Sequence, residues 1–272
     1  MKISSFLFSF ALATTICTGQ SLPTYSPQSQ TTLYAYVTDG YGNVIPGADI
    51  EMDNGYYEGS NIHTHYSSAP AVSSISPSSG TADQGWGYLP FTLSTTLIGE
   101  EEWIDVNSSL SPITVEFDYY VGYGDLYLIN NPSVWYLIGY TPNHGNDNNY
   151  NHWSTASANV GLGNATTSYL NSHPPQSTIC INDATLPIGG KFDIYGNWTN
   201  PHAEHDRGST IDIADTFSTA PNECNIADYV VNDPYAMRDQ CYAAGAAYVK
   251  VHVPPEAPHV HCNFQSSATY PH

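Results

Sequence analysis

The sequence predicts an all-β sandwich followed by an α+β domain. Three observations carry this. Up to residue 120, short alternating apolar runs are separated by clusters of Gly, Pro, Asn and Asp, the rhythm of strands and turns. Near the C-terminus the order becomes helix, strand, turn, strand. Four cysteines, Cys180, Cys224, Cys241 and Cys262, all fall in the second half, where they would staple the second domain.

Residues 1–20 read as an export signal. Lys2 is the positive start, residues 6–13 (FLFSFALA) are the short apolar run, and small polar residues follow. The run is too short to span a membrane, and no other apolar run reaches the roughly 18 residues a spanning helix needs. Cys17 invites lipidation, but Ile16 before it fits a lipidation box poorly. The chain is therefore expected to be secreted, and an even number of remaining cysteines then reads as two disulfides. Three pairings are open.

Residues 21–118 form the first expected domain and residues 119–272 the second. In the first, residues 32–37 (TLYAYV) alternate as a strand, residues 38–47 are dense in turn residues, and residues 48–52 begin another strand. Residues 83–93, 103–106 and 113–120 continue the pattern. About 90 residues suit a sandwich. His63 and His65 are read as surface histidines. In the second domain, residues 156–170 are a helix candidate rich in small residues, and Gly189-Gly190 is an expected tight turn. Residues 234–244 open with Pro and stop at Gly245, as a helix does. Residues 247–253 and 259–264 read as strands. His144 and His152 fall in a polar segment and are read as loop residues.

The charge balance excludes some partners. There are 25 acidic and 5 basic residues, a net charge of −20. So few cations cannot build the positive surface that nucleic acid or an anionic membrane requires. The 22 tyrosines suit an exported β-rich chain or a carbohydrate surface, without deciding between them. Asn107, Asn164 and Asn197 begin glycosylation sequons.

Chemistry concentrates in residues 201–215, PHAEHDRGSTIDIAD, and residues 258–264, PHVHCNF. Imidazoles and a carboxylate are the ligands of a catalytic zinc, with one position left for water. His205 and Asp212 would face opposite ways in one straight strand, but Arg207-Gly208 supplies a turn between them. His259 and His261 are two apart, so both point to one face of a strand. Cys262 then points away from that face, which favours a structural role over a ligand role.

These paired motifs resemble the zinc peptidase superfamily of lysostaphin-type enzymes, D-Ala-D-Ala metallopeptidases and hedgehog domains. The look is that of the penicillin-insensitive murein endopeptidases, across roughly residues 170–264. PHVHC also resembles the hedgehog segment around its zinc-binding His. The resemblance implies a metallopeptidase-like α+β domain, with a small antiparallel sheet carrying zinc on His205, Asp212 and His261. It implies His259 beside the metal as catalytic base, His202 as the extra His, and hydrolysis of peptide bonds in peptidoglycan. Glu256 is the second candidate base, because several members of the family use a Glu a few residues before the last ligand, although Pro258 stands where the familiar Glu-x-x-His pattern has its Glu; His252 is also near, its parity in the preceding strand undecided. Arg207 would bind a substrate carboxylate or pair with Glu204 or Asp206. Residues 36–52 (YVTDGYGNVIPGADIEM) are similar to the opening hairpin of bacterial Ig-like or carboxypeptidase-regulatory-like sandwiches. The alternative to an enzyme is a module that keeps zinc without turnover and recognises wall or glycan surfaces.

Overall fold

The computed structural model describes residues 9–12, 22–39, 41–57, 72–96, 99–138, 151–190, 192, 204–217, 224–254 and 258–265. His63, His65, His144, Asn197, His202 and Glu256 lie outside them. The described chain is mostly β with few helices, and it divides into two compact units at Gly122–Tyr123. No helix among the described residues is long and apolar enough to cross a membrane.

The first unit contains β1 (Ser9–Leu12), β2 (Thr24–Tyr25), β3 (Gln30–Thr38), β4 (Asp49–Tyr57) and β5 (Ser74–Ser76). It continues with β6 (Ser79–Thr81), β7 (Tyr88–Ser94), β8 (Glu101–Ser108) and β9 (Ser111–Val121). These make two sheets, ordered β1-β3-β7-β5 and β2-β9-β8-β4-β6. Side-chain alternation sorts residues to the interior. In the first sheet buried Leu33 pairs with Phe91, and Ala35 with Leu89. In the second, Met52 pairs with Val106, and Ile104 with Phe117. A strand that slipped by one residue would turn these rows to water.

Two expectations change here. Residues 36–52 are not a hairpin, because β3 and β4 belong to different sheets and the bridge from Thr38 to Val44 falls before β4 begins. The turn chemistry explains it. Asp39 Oδ1 accepts from Tyr41 N at 2.8 Å and from Asn43 N at 3.0 Å, closing a local turn. Gly47 at φ 74° then redirects the chain, and β4 finds β8 and β6 as partners. β9 also runs past the boundary expected at residue 118, to Val121. β1 falls inside the segment read as an export signal and pairs with β3, so its removal would leave β3 at the sheet edge.

The second unit contains β10 (Leu126–Leu128), β11 (Trp135–Leu137), β12 (Trp153–Thr155), α1 (Ala156–Ser172) and β13 (Ile179–Ile181). β14 (Thr210–Ala214), a 3-10 turn at Ala227–Tyr229, α2 (Pro234–Ala243), β15 (Tyr248–His252) and β16 (His259–Asn263) follow. Its main sheet is ordered β11-β13-β14-β16-β15. An all-antiparallel sheet was expected; the β11–β13 pair is parallel. The reason is topological: parallel neighbours need a long crossover, and α1 lies between these two strands in sequence.

Thr155 caps α1, accepting from Ala158 N at 3.3 Å, and Asp233 caps α2, accepting from Ala236 N at 2.9 Å. Gly245, at φ 96°, ends α2 as expected. Both helices share a core with one face of the sheet, where Leu162, Tyr169 and Met237 cluster with Ile211, Ile213, Val260 and Cys262. Gly161 lets α1 come close to the Phe264 ring, where any Cβ would collide. Two disulfides resolve the open pairing as Cys180–Cys224 and Cys241–Cys262. The second ties α2 to β16 on the apolar face, so Cys262 is structural. Bonds of this kind persist in oxidising compartments.

Candidate metal centre

The opposite face of β14, β16 and β15 is polar. Pleating puts Asp212, His259 and His261 there, while Ile211, Ile213, Val260 and Cys262 take the core side. Register does the rest. Asp212 pairs across with His261, and His259 pairs with both Ala214 and His252. The turn before β14 delivers His205. Gly208 there has φ 72°, and a Cβ on it would strike Leu126 and the backbone at Ser154 and Thr155. Gly189 and Gly190, at φ 73° and 84°, form the expected turn beside this segment, with Gly190 N donating to Asp206 O at 2.8 Å.

His205, Asp212 and His261 offer ligand atoms that all lie within 4.8 Å of one another. The three residues are only 2%, 3% and 8% exposed. Asp212 is the hub. His205 Nε2 stands 3.2 Å from its Oδ2, His259 Nε2 3.4 Å from the same oxygen, and His261 Nδ1 2.8 Å from Oδ1. Backbone bonds hold the hub in place, since Asp212 N donates to Asp183 O at 2.7 Å.

The charges follow from this packing. Burial alone would raise the Asp212 carboxyl; the charges and hydrogen bonds of His205 and His261 overcome it and hold the group well below 3.8. Burial opposes the charge on His261, but Asp212 and Glu204 raise it to about 9. Both ring nitrogens of His261 face carboxylates, Nδ1 toward Asp212 and Nε2 toward Glu204 Oε2, each at 2.8 Å. Carboxylates on both sides favour the charged form of the metal-free ring.

The donor set fits zinc. His205 Nδ1 lies 2.6 Å from Ala184 O, which fixes that nitrogen as the proton donor and leaves Nε2 as a ligand atom toward Asp212. Glu204 does the same office for His261, leaving Nδ1 toward Asp212. His205 Nε2, His261 Nδ1 and an Asp212 oxygen would hold the ion. Its entry would expel a proton from His261. When bound, zinc supplies a strong positive charge to a site otherwise governed by Asp212.

The remaining expected residues fall as follows. His259 is brought to the hub. Arg207 Nε lies 3.7 Å from Asp206 Oδ1, the ion-pair alternative, and burial pushes the Asp206 carboxyl up to about 6 despite Arg207. His152 does lie in a loop, before β12, but it is fully buried there, with Nε2 3.2 Å from Ile181 O. Glu204 joins the cluster without having been placed there from sequence, and His252, near in sequence but of undecided strand parity, joins it too. Glu204 precedes β14 in a turn, where no periodicity applies. His252 lies opposite His259, its ring stacked at 4.2 Å, a neighbour that only register could supply.

No protein-family model matches the chain, and no curated protein does. Solved structures that it is similar to include S-layer and adhesin domains. Domains 4 and 5 of the S-layer protein SbsC match at TM-score 0.27 and 14% identity, covering 43% of this chain and 53% of that one. The adhesin InvE of Yersinia pseudotuberculosis matches at TM-score 0.34 and 10% identity, covering 76% of this chain and 69% of that one. The D00-D0 domain of intimin matches at TM-score 0.27 and 10% identity, covering 38% and 50%. The chain thus spans about half the length of the SbsC and intimin fragments it matches.

The expectation of an exported zinc peptidase cutting peptidoglycan peptides is corrected by these findings. The structures found are S-layer and adhesin domains. A separate metallopeptidase domain is likewise not among them. Within the site, His259 Nε2 lies 3.4 Å from Asp212 Oδ2 and its ring stacks on that of His252.

Proposed function

We propose that the protein is a secreted, non-catalytic binding module that keeps zinc at His205, Asp212 and His261 and recognises wall or glycan surfaces. One observation carries the metal half: these ligand atoms lie within 4.8 Å of one another in a buried layer. Two imidazoles and a carboxylate converging in a buried layer are a donor set that zinc accepts. Support for the recognition half comes from Tyr41 and Trp86, 85% and 79% exposed on turns of the first unit. Asp83 Oδ1 fixes the Trp86 turn by accepting from Gly85 N at 2.7 Å and Trp86 N at 2.8 Å. Gly87 brings that turn against Val44, beside the turn that carries Tyr41. Rigid exposed rings suit stacking on sugars.

The test combines metal analysis with binding of the full exported chain to purified cell wall and to a glycan array. One zinc per chain, retained wall or glycan and no released peptide are expected. Trp86→Ala should weaken retention by about tenfold or more. Zinc-dependent release of wall peptides would overturn the non-catalytic reading. Absence of all wall and glycan binding would remove the recognition half.

A further inference from the structure

The cluster continues outward beyond the three buried ligands. His252, His259 and His261 also offer ligand atoms within 4.8 Å of one another. His261 therefore belongs to both sets. Exposure rises along the series: His205, Asp212 and His261 are buried, whereas His252 and His259 are half-buried. The outer histidines come from neighbouring strands at paired positions, so the sheet itself holds them together. Their rings stack at 4.2 Å and 16°, and the His252 and His261 centroids are 5.9 Å apart. Asp215, following β14, is close enough for both His259 and His252 to act on its carboxyl. The chain's net charge of −20 adds a long-range pull on cations.

We propose that His252, His259 and His261 form an outer, all-imidazole metal site through which a divalent transition metal passes to the buried His205–Asp212–His261 set. The proposal rests on the reading that the buried set binds metal. Three neutral imidazoles suit zinc, cobalt, nickel and copper, and have little affinity for calcium or magnesium. A single ring shared by the two sets makes them alternatives for one ion. It also makes the transfer simple: His261 keeps its hold while His252 and His259 are exchanged for His205 and Asp212. No net chemistry is needed beyond ligand exchange. A buried site with its own entry path loads faster than one that must open to solvent.

Cobalt(II) is the probe, because its visible absorption reports ligand type and number as it replaces zinc. The wild-type chain should bind one cobalt. His205→Ala cannot complete the buried set and should still bind one, with a spectrum changed toward all-nitrogen ligation. His205→Ala/His252→Ala should bind none. His252→Ala alone should keep full occupancy but take up cobalt about tenfold more slowly or worse in stopped-flow mixing. Circular dichroism of each variant shows that it is folded, and His252→Gln serves if His252→Ala is not. If wild type binds no metal at all, the buried-site reading fails. If wild type binds one ion but His205→Ala binds none, or His252→Ala loads as fast as wild type, the outer site is overturned while the buried site stands.

Discussion

Each unit carries a buried carboxylate on a central strand, and the two behave in opposite ways. Glu102 in β8 is fully buried in the first unit, and Asp212 in β14 is almost fully buried in the second. Each pairs directly across the sheet with its main partner, Glu102 with Tyr119 and Asp212 with His261. Glu102 Oε2 accepts from the Tyr119 hydroxyl at 2.7 Å, and Oε1 from Ser73 N at 3.2 Å. These donors are neutral, so burial dominates and raises the carboxyl. Asp212 meets imidazoles that can carry charge, and its carboxyl is held far down. Burial is common to both, so the partners decide. With neutral donors a buried acid is a polar plug in a β core. With imidazoles it is the centre of an ion site.

The largest expected effect comes from removing the hub. Asp212→Ala strips the shared partner from His205, His259 and His261 and leaves the imidazolium of His261 buried without its main counter-charge. Breaking a buried pair from one side costs about 3–5 kcal/mol. Urea unfolding of the metal-free protein should show that loss in the second unit, and metal analysis should show the zinc gone. Full zinc occupancy in this variant, or in Asp212→Asn if the first does not fold, would break the comparison.

Acid and base should then separate the two units. In the metal-free protein, the His261 ring is raised from 6.5 to about 9. Its stabilisation is complete below pH 6.5 and is lost as pH rises through about 9. Asp212 is depressed, so its contribution is present above 3.8 and is lost only in stronger acid, as pH falls through its lowered value. Glu102 is raised, so folding favours its protonated form; its contribution is complete in acid and declines as pH rises past the ordinary 4.5. Mild acid should therefore stabilise the first unit while leaving the second intact. Differential scanning calorimetry across pH 4 to 9.5, with intrinsic fluorescence to separate the units, checks this. A second unit that gains stability between pH 7 and 9.5 would contradict the assignment of His261.

The smallest effect sharpens the contrast. Glu102→Gln keeps an oxygen to accept from Tyr119 and removes the buried ionisable group. Its unfolding free energy at pH 7 should stay within about 1 kcal/mol of wild type, the scale of one net hydrogen bond. Its pH dependence in the first unit should flatten. A loss as large as that of Asp212→Ala would mean that the two acids are not different in kind.

The alternating runs of the first unit, the two helices and the strands β14, β15 and β16 were legible because each rests on local periodicity and turn residues. The convergence of His205, Asp212 and His261 was what the resemblance implied, and the Gly208 turn and the two-residue spacing of His259 and His261 only made it feasible. The separation of β3 from β4 into different sheets was not legible, because a turn-rich segment does not name the strand's partner. Nor was the burial of His152, whose polar neighbours in sequence resemble a surface loop.

By itself, then, the sequence determined which side chains share a face: His259 with His261, Ile211 with Ile213, and Cys262 turned away from the histidines. It also determined where the chain must turn. The tertiary structure alone decided who stands opposite whom. It chose Cys241 for Cys262, set His252 beside His259, laid Glu204 on His261, and gave Glu102 a tyrosine where Asp212 received imidazoles. The physical reason is range. Alternation and turn preference act over a few residues along the chain, whereas strand register joins residues far apart in it, and the charge of a buried group follows from those neighbours.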